Sequence, residues 1–395
     1  MMKVGITTFY YHTYNYGANL QAFALCKVIN DLGFHAEQLR FEPTEGFKKI
    51  KIGWVKKAEY SIKTNIFKVA QFIRHPRSKI VYYQRYKKRC RAVDLFCREY
   101  TPHSKKVYTA KNIHKSIKNY DGYVTGSDVV WSPKTSSSIL FLRFVPSSHF
   151  KLAYAPSLGT SSLTEDERIL LGQDLRGFHA LSTREKSCTD LISSLTGKPV
   201  EHCLDSTLLL SRSVWENITS TRLVSEKYVF CYFLGNNKRA RELAVEYATV
   251  HNLRVVNISY YWDAYKPLDD FGDVRLYDVS PADFLSLIRY SDCVFTDSFH
   301  ACVFSQVFET PFFAFRREVD DPRSIRIWDF LNNTGTLHRY IDTDDKESFD
   351  YVNQLFPVNY NVSGISLLNS QIDSSIKYLK LNLEELSSRR IKRRT

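Results

Sequence analysis

Short β-branched runs alternate with amphipathic helical stretches from the third residue onward, and this alternation constrains the fold more than any other feature. Residues 3–9, KVGITTF, read as a strand, and the polar aromatic loop YYHTYNYG follows it. ANLQAFALCKVINDLG then sets Leu20, Phe23, Ala24 and Val28 on one helical face, with Gly33 placed to end the helix. AEQLRF is the next strand, and a β-loop-α-β unit implies a parallel sheet. The alternation resumes through DGYVTGSD, KLAYAPSLG, the helical TEDERILLGQDLRGF and the strands of ALSTRE and PVEHCLD. A second cycle begins at YVFCYFLG and runs to PFFAF. Within it, SPADFLSLIRYSD carries Ser280 as a helix cap and Pro281 at the first helical position. The pattern predicts an α/β protein of two doubly wound, Rossmann-like domains, residues 1–222 and 223–363, with a cleft between them. The polar stretch 211–227 is expected to join them, and residues 364–395 to form a C-terminal helix and basic tail.

Charge is unevenly spread. The chain carries +13 overall, yet residues 47–118 alone hold 21 Lys and Arg against three acids, a net of +18. The rest is therefore mildly acidic, apart from the terminal RRIKRR. Aromatics interleave the basic segment, and Ile62, Ile66, Val69 and Ile73 fall at helical spacing. The segment reads either as a solvated helical hairpin packed on the first domain or as a surface attracted to anionic membrane. Nucleic acid ranks last, because no helix-turn-helix, zinc-finger, RNP or KH signature accompanies the charge. No apolar run reaches the roughly 20 residues of a membrane span, and no signal-peptide pattern opens the chain. The eight cysteines never form a C-x-x-C pair and sit mostly in apolar runs, so free thiols in a reducing compartment are expected, with no metal site. These features predict a soluble cytoplasmic protein, and the membrane reading of the basic segment would place it at the inner face of the cell membrane.

Several constellations carry chemistry. In DFLSLIRYSDCVFTDSFHACVFSQVFETPFF a buried strand stops at Asp297, a turn of Ser298, Phe299 and His300 follows, and a helix starts at once. Helix-start amides attract anions, so His300 stands where an anionic ligand and an acid–base group meet; the alternative is a capping or core histidine. Asn15, Tyr16, Gly17, Asn19 and Gln21 form a polar strand-to-helix loop suited to sugar hydroxyls or phosphate. Ser127, Asp128 and Trp131 follow a strand, where Asp128 would accept sugar hydrogen bonds and Trp131 stack on the ring, or else serve as cap and core aromatic. Arg184 in LSTREKS suits a carboxylate or phosphate. Arg316, Arg317, Arg323 and Arg326 follow the last strand, and a solvated basic loop is the alternative there.

The motifs NYGANLQAFAL, TGSDVVW, YAPSLG, LSTREKS, LDSTLLL and TDSFHACVFSQVFETPFFAF, in that order, resemble the polysaccharide pyruvyl transferase family over residues 3–340. The resemblance implies a fold similar to the two-domain GT-B architecture. It also implies transfer of the carboxyethylidene group of phosphoenolpyruvate onto two hydroxyls of a sugar, giving a cyclic pyruvate ketal on a surface polysaccharide (capsular or exopolysaccharide) or its lipid-linked precursor. Phosphoenolpyruvate would be a donor co-substrate, with no separate cofactor. Carried over by motif, His300 and Arg184 take the catalytic positions, with Ser298 standing where many members have arginine. Arg326 is expected to take over that charge-pairing role. Asp205 matches the aspartate of a D-P-T-L motif, with Ser206 in place of proline, and Pro156 stands where a small residue is usual. A glycosyltransferase using a nucleotide-sugar donor, or a non-catalytic sugar- or lipid-phosphate-binding protein of the same fold, are the alternatives.

Overall fold

The computed structural model describes residues 1–42, 76–133, 137–160, 162–259, 261–263, 266–267, 271–317, 324–345, 348–354 and 362–394. The helix expected within residues 56–75 and Arg323 therefore lie outside the described residues.

Two parallel sheets organise the chain. Strands β1 (Lys3–Thr7), β2 (His35–Phe41), β3 (His103–Tyr108), β4 (Gly122–Gly126) and β5 (Phe150–Tyr154) lie in the order β3-β2-β1-β4-β5. A parallel pair, β6 (Leu181–Thr183) and β7 (Val200–His202), continues this sheet through a bridge between Leu152 and Ala180. The second sheet draws on β8 (Tyr228–Tyr232) and β9 (Arg254–Ile258). A small antiparallel hairpin, β10 (Tyr261–Asp263) and β11 (Lys266–Pro267), interrupts it before β12 (Val274–Leu276), β13 (Cys293–Thr296), β14 (Phe312–Phe315) and β15 (Tyr340–Ile341). Its order is β12-β9-β8-β13-β14-β15, parallel throughout. Strand order reverses between β1 and β4 in one sheet and between β8 and β13 in the other. Loops leaving the carboxyl ends of strands beside such a reversal diverge and open a crevice. The loops 8–15 and 127–133, and the turn before the helix Phe299–Val307, all leave from those points.

Local chemistry explains the helix ends. The Asn15 side chain accepts from the Ala18 amide and starts the first helix, Tyr16–Asp31. Gly33, at φ +91°, carries the chain out of it in a conformation other residues avoid. Ser280 and Asp283 form a reciprocal capping box with Pro281 at the first position, as their spacing predicts.

The stretch between the sheets differs from the expected linker. It contains the helix Arg212–Ile218, whose Trp215 is fully buried. Trp215 meets Phe23 of the first helix edge-on at 5.6 Å and Phe304 of the 299–307 helix at 4.8 Å, and its Nε1 donates to the Thr207 carbonyl. Polar periodicity hid this helix, because it is short and buries little more than one face. The C-terminal helix, Val362–Arg394, is longer than its sequence pattern indicated. Its Tyr378 hydroxyl donates to the Ala153 carbonyl beside β5, and its Gln371 amide donates to the Asn333 carbonyl of the second half.

The described part of the basic segment holds the long helix Pro76–Tyr100, the edge strand β3 and the start of a 3₁₀ helix, Ile113–Asn119. Val93 and Phe96 bury the inner face of the long helix, and Cys97 Sγ lies 2.9 Å from Asn19 Oδ1. Arg89 crosses between the sheets, donating to the carbonyls of Tyr14 and Ser259, and Arg85 stacks 4.2 Å over the Tyr277 ring.

Trp215 joins three helices drawn from both halves. Trp215→Ala is expected to destabilise the protein by about 3–5 kcal/mol, as truncating a fully buried indole does, and Trp215→Phe by much less. Urea denaturation followed by circular dichroism measures both.

Candidate functional site

The carboxylate of Asp205 is where the site converges. Asp205 starts the 3₁₀ turn Ser206–Leu209, and its Oδ1 accepts from the amide and hydroxyl of Thr207 at 3.1 and 2.7 Å. Oδ2 accepts from Ser127 Oγ at 2.8 Å and from Arg184 Nη1 at 2.9 Å. His300 Nε2, from the second half, lies 3.7 Å from the same oxygen. Burial alone would raise this carboxyl's pKa, but His300, Arg184 and the Thr207 hydroxyl outweigh it and hold the group well below the usual carboxylate range.

Arg184 is buried with its charge spread over three acids. Nη1 also reaches Asp128 Oδ1 at 3.3 Å and Nε reaches Glu185 Oε1 at 3.4 Å, while the guanidinium lies 4.2 Å over the Phe299 ring. Burial would lower its pKa, and the three carboxylates reverse that and raise it. Asp128 is held in the left-handed region, at φ 66°, a conformation that aspartate tolerates better than most. Arg326 lines the same narrow cavity of about 10 Å³, a volume at the lower limit for one water, together with Glu185, His202, Phe299, Asp329 and Asn333. Burial, with Arg184 and Arg317 alongside, pushes the Arg326 guanidinium below its usual range. Three buried polar atoms here have no hydrogen-bond partner: Arg184 Nη2, Glu185 Oε2 and His300 Nε2. Buried groups of this kind are rarely left unsatisfied without a purpose.

His300 occupies the first turn of the 299–307 helix and is buried. Its ring abuts the first helix. A methyl group built at Gly17 would lie 2.0 Å from His300 Nδ1, which is why no side chain stands at position 17. Across the other edge of the cluster, the Asp329 carboxylate accepts from the amides of Lys186 and Ser187 and ties the second half to the residues just after Arg184.

Arg184, His300, Ser127, Asp128 and Arg326 thus come together, with Ser298 at the helix start and Gly17 packed on the histidine. Ser298 leaves its own helix uncapped by its side chain and donates its amide to Thr296 Oγ1. Other expected ligand groups are committed elsewhere. Trp131 is a core aromatic, fully buried and stacked with Phe141 at 6.3 Å, so it offers no face to a sugar. Tyr16 is fully buried, stacked on Phe284 at 4.9 Å, and its hydroxyl donates to the Val279 carbonyl; it fastens the halves together. Asn15 caps the first helix, Asn19 donates to the carbonyls of Thr13 and Asn15, and the Gln21 amide donates to Thr8 Oγ1 and the Ala18 carbonyl. Asp297 is buried, its carboxylate accepting from the amides of Leu234 and Gly235 with Arg317 Nε 3.8 Å away, which welds β13 to the loop after β8. Arg316 pairs with Asp344 on the surface.

Asp205, Glu185, Phe299 and Asp329 belong to the cluster without having been singled out as site residues. For Asp205 the D-S-T spacing was a visible capping signal, and Glu185 follows Arg184 directly. Phe299 was legible as part of the turn before His300 but not as the ring under Arg184, and nothing local marks Asp329, since each acts across the boundary between the sheets. Among the described residues no group of three His, Cys, Asp or Glu could hold a metal ion, and no helix is long and apolar enough to cross a membrane.

Comparison with known proteins places this geometry in context. The model of a family described as polysaccharide pyruvyl transferase matches residues 15–318, from the first helix to just beyond β14. Among solved structures, UDP-GlcNAc 2-epimerase from Neisseria meningitidis, bound to UDP-GlcNAc, superposes with a TM-score of 0.51 at 10% identity, covering 98% of this chain and 100% of that one. The Anabaena protein HepE, in complex with UDP and glucose, gives the same values. The epimerase of Methanocaldococcus jannaschii gives 0.50 at 8% identity, covering 91% and 93%. At these identities the likeness is one of fold, the two-domain GT-B arrangement. No curated protein sequence matches the chain.

Two substitutions test the cluster. Asp205→Asn leaves Arg184 short of a counter-charge and is expected to cost roughly 3–5 kcal/mol at pH 7, the scale for breaking a buried ion pair. Because the folded carboxyl titrates below its unfolded value of about 3.9, its stabilisation is present above that pH and lost as pH falls further. The stability gap between the native protein and Asp205→Asn should therefore shrink from pH 5 to pH 3 in urea titrations. Gly17→Ala forces the His300 ring or the first helix to move, and a lowered melting temperature by scanning calorimetry is the expected result.

Proposed function

The chain belongs to the polysaccharide pyruvyl transferase family, and on that premise we propose that it transfers the carboxyethylidene group of phosphoenolpyruvate to two hydroxyls of a sugar. The acceptor is a surface polysaccharide, capsular or exopolysaccharide, or its lipid-linked precursor. One observation carries the reading: Arg184 Nη2, Glu185 Oε2 and His300 Nε2 are buried without hydrogen-bond partners around Asp205, beside Arg326 and a helix start. A donor bearing a carboxylate and a phosphate matches such a cluster, because guanidiniums and helix-start amides both bind oxyanions.

In the reaction one sugar hydroxyl oxygen bonds to C2 of the donor while C3 gains a proton and becomes a methyl group. The C2–O bond to phosphate breaks, and the second hydroxyl closes the ketal. Of the two hydroxyl protons, one is accounted for in the methyl group and one leaves with phosphate. His300 Nε2 is the group suited to moving a proton, since histidine is the side chain whose ordinary pKa lies nearest neutrality and this atom has no hydrogen-bond partner. Asp205 keeps the histidine and Arg184 on one oxygen and cannot itself act as an acid, being held ionised. With Ser298 standing where many relatives carry arginine, Arg326 supplies a second guanidinium lining the same cavity.

Incubation with phosphoenolpyruvate and candidate glycans, followed by assay of inorganic phosphate, tests the proposal. Phosphate release that depends on the acceptor is expected; release of nucleotide from a nucleotide sugar would instead assign a glycosyltransferase, and neither would assign a binding protein. His300→Gln should cut phosphate release by about 10²- to 10⁴-fold, the usual worth of a proton-transfer group, a loss larger than the fall in melting temperature that removing a buried partner of Asp205 brings. Arg184 is a poorer probe: it is buried among three acids, so its removal would report on folding before it reported on donor affinity.

A further inference from the structure

The helix Pro76–Tyr100 has two faces with different fates. Its inner face is fixed: Val93 and Phe96 are buried and Arg89 spans from Tyr14 to Ser259 at the boundary between the sheets. Its outer face follows a single stripe at steps of three to four residues, Ile80, Gln84, Lys87 with Lys88, Arg91, Leu95 and Arg98, all exposed. At 1.5 Å per residue the stripe runs about 27 Å. Lys105 and Lys106, also exposed, lie on the edge strand β3 that follows the helix in sequence.

Two features of this face call for an explanation. Among the described residues, none of Lys87, Lys88, Arg91, Arg98, Lys105 and Lys106 forms an ion pair, although acids elsewhere in the chain pair readily with surface arginines such as Arg143, Arg212 and Arg239. Large apolar side chains also stand out of the same helix, with Leu95 59%, Ile80 46% and Val81 43% exposed. Lysine on an edge strand can be a guard against pairing with another sheet, but that does not account for the helix. Unpaired cations flanked by protruding aliphatic side chains complement a surface that is anionic at the level of the headgroups and apolar beneath.

We propose that the outer face of the helix Pro76–Tyr100, with the edge strand β3, docks on an anionic lipid leaflet. Among the described residues of this face no aromatic side chain is exposed as a platform for stacking bases, which favours lipid over nucleic acid. Because Arg89 on the inner face contacts Tyr14, two residues before the first helix and its Gly17–His300 contact, docking would set the site beside the leaflet. The surface is independent of the chemistry proposed above, so each can fail without the other.

Cosedimentation of the full chain with phosphatidylcholine vesicles, with and without phosphatidylglycerol, tests the surface. Binding to the anionic vesicles alone is expected at low ionic strength, and its loss at 1 M salt, where screening shortens to about 3 Å. A basic side chain near an anionic leaflet strengthens binding about fivefold, so Lys87→Glu, Lys88→Glu and Arg91→Glu together should weaken it about a hundredfold or more while leaving acceptor-dependent phosphate release intact. The corresponding Gln triple variant should weaken it less, and circular dichroism confirms that both are folded. Equal binding to neutral vesicles, unchanged binding by the folded variants, or no vesicle binding at all would overturn the proposal. Tighter binding to a DNA duplex than to anionic vesicles at the same salt would also overturn it, in favour of a nucleic-acid surface.

Discussion

Burying the guanidinium of Arg184 is costly unless a fixed counter-charge meets it, and Asp205 provides that charge through an oxygen shared with Ser127 and approached by His300. The three groups come from three different segments: the loop after β4, the end of β6, and the helix start after β13. A carboxylate with this many claims on it cannot move without unsettling all of them. It is held ionised because the low dielectric that penalises its charge also strengthens its attraction to the neighbouring cations. The arrangement therefore fixes Arg184 and His300 relative to each other before any ligand arrives, which is the condition for charge stabilisation in a site.

The two sheets are joined by a core that is continuous across them. Phe23, Trp215, Phe284 and Phe304 belong to one apolar cluster, and Tyr16 enters the second half to stack on Phe284. This continuity explains why residues with polar side chains at the first strand-to-helix loop are unavailable to a ligand. Asn19 and Gln21 spend their side-chain amide donors on nearby carbonyls and a hydroxyl, and Asn15 accepts from the Ala18 amide, so these groups are committed within the loop and the first helix.

Much of the architecture was readable from periodicity and caps. The strand-helix alternation, the capping box at Ser280, and the short strand ending at Thr296 with a helix directly after it all reflect local rules that residue order displays. The gathering of Arg184 and His300 followed from motif order and the rule that sites lie at the carboxyl ends of parallel strands. Roles decided across the chain were not readable. Trp131 looked like a sugar platform because its loop position is exposed in outline, but Phe141 and Phe178 enclose it. Asp297 looked like a ligand group at a strand end, and only the approach of residues 234–235 reveals it as a structural anchor. The helix Arg212–Ile218 escaped notice for a related reason: one buried tryptophan, not a repeated apolar stripe, holds it in place.

The contact between Gly17 and His300 links the overall arrangement of the molecule to the chemistry of the site. The ring of His300 is bounded by the backbone of the first helix on one side and by Phe299 on the other, with ring centroids 5.1 Å apart. Its position is thus defined by both halves at once. Any relative motion of the sheets that widened the narrow cavity beside Arg184 would withdraw Gly17 from the ring and lengthen the bonds from Lys186 and Ser187 to Asp329. Closure would restore all of these together. In a protein built this way the juxtaposition of the halves and the seating of His300 beside Asp205 are one physical condition, because the ring has no fixed seat unless both halves supply it.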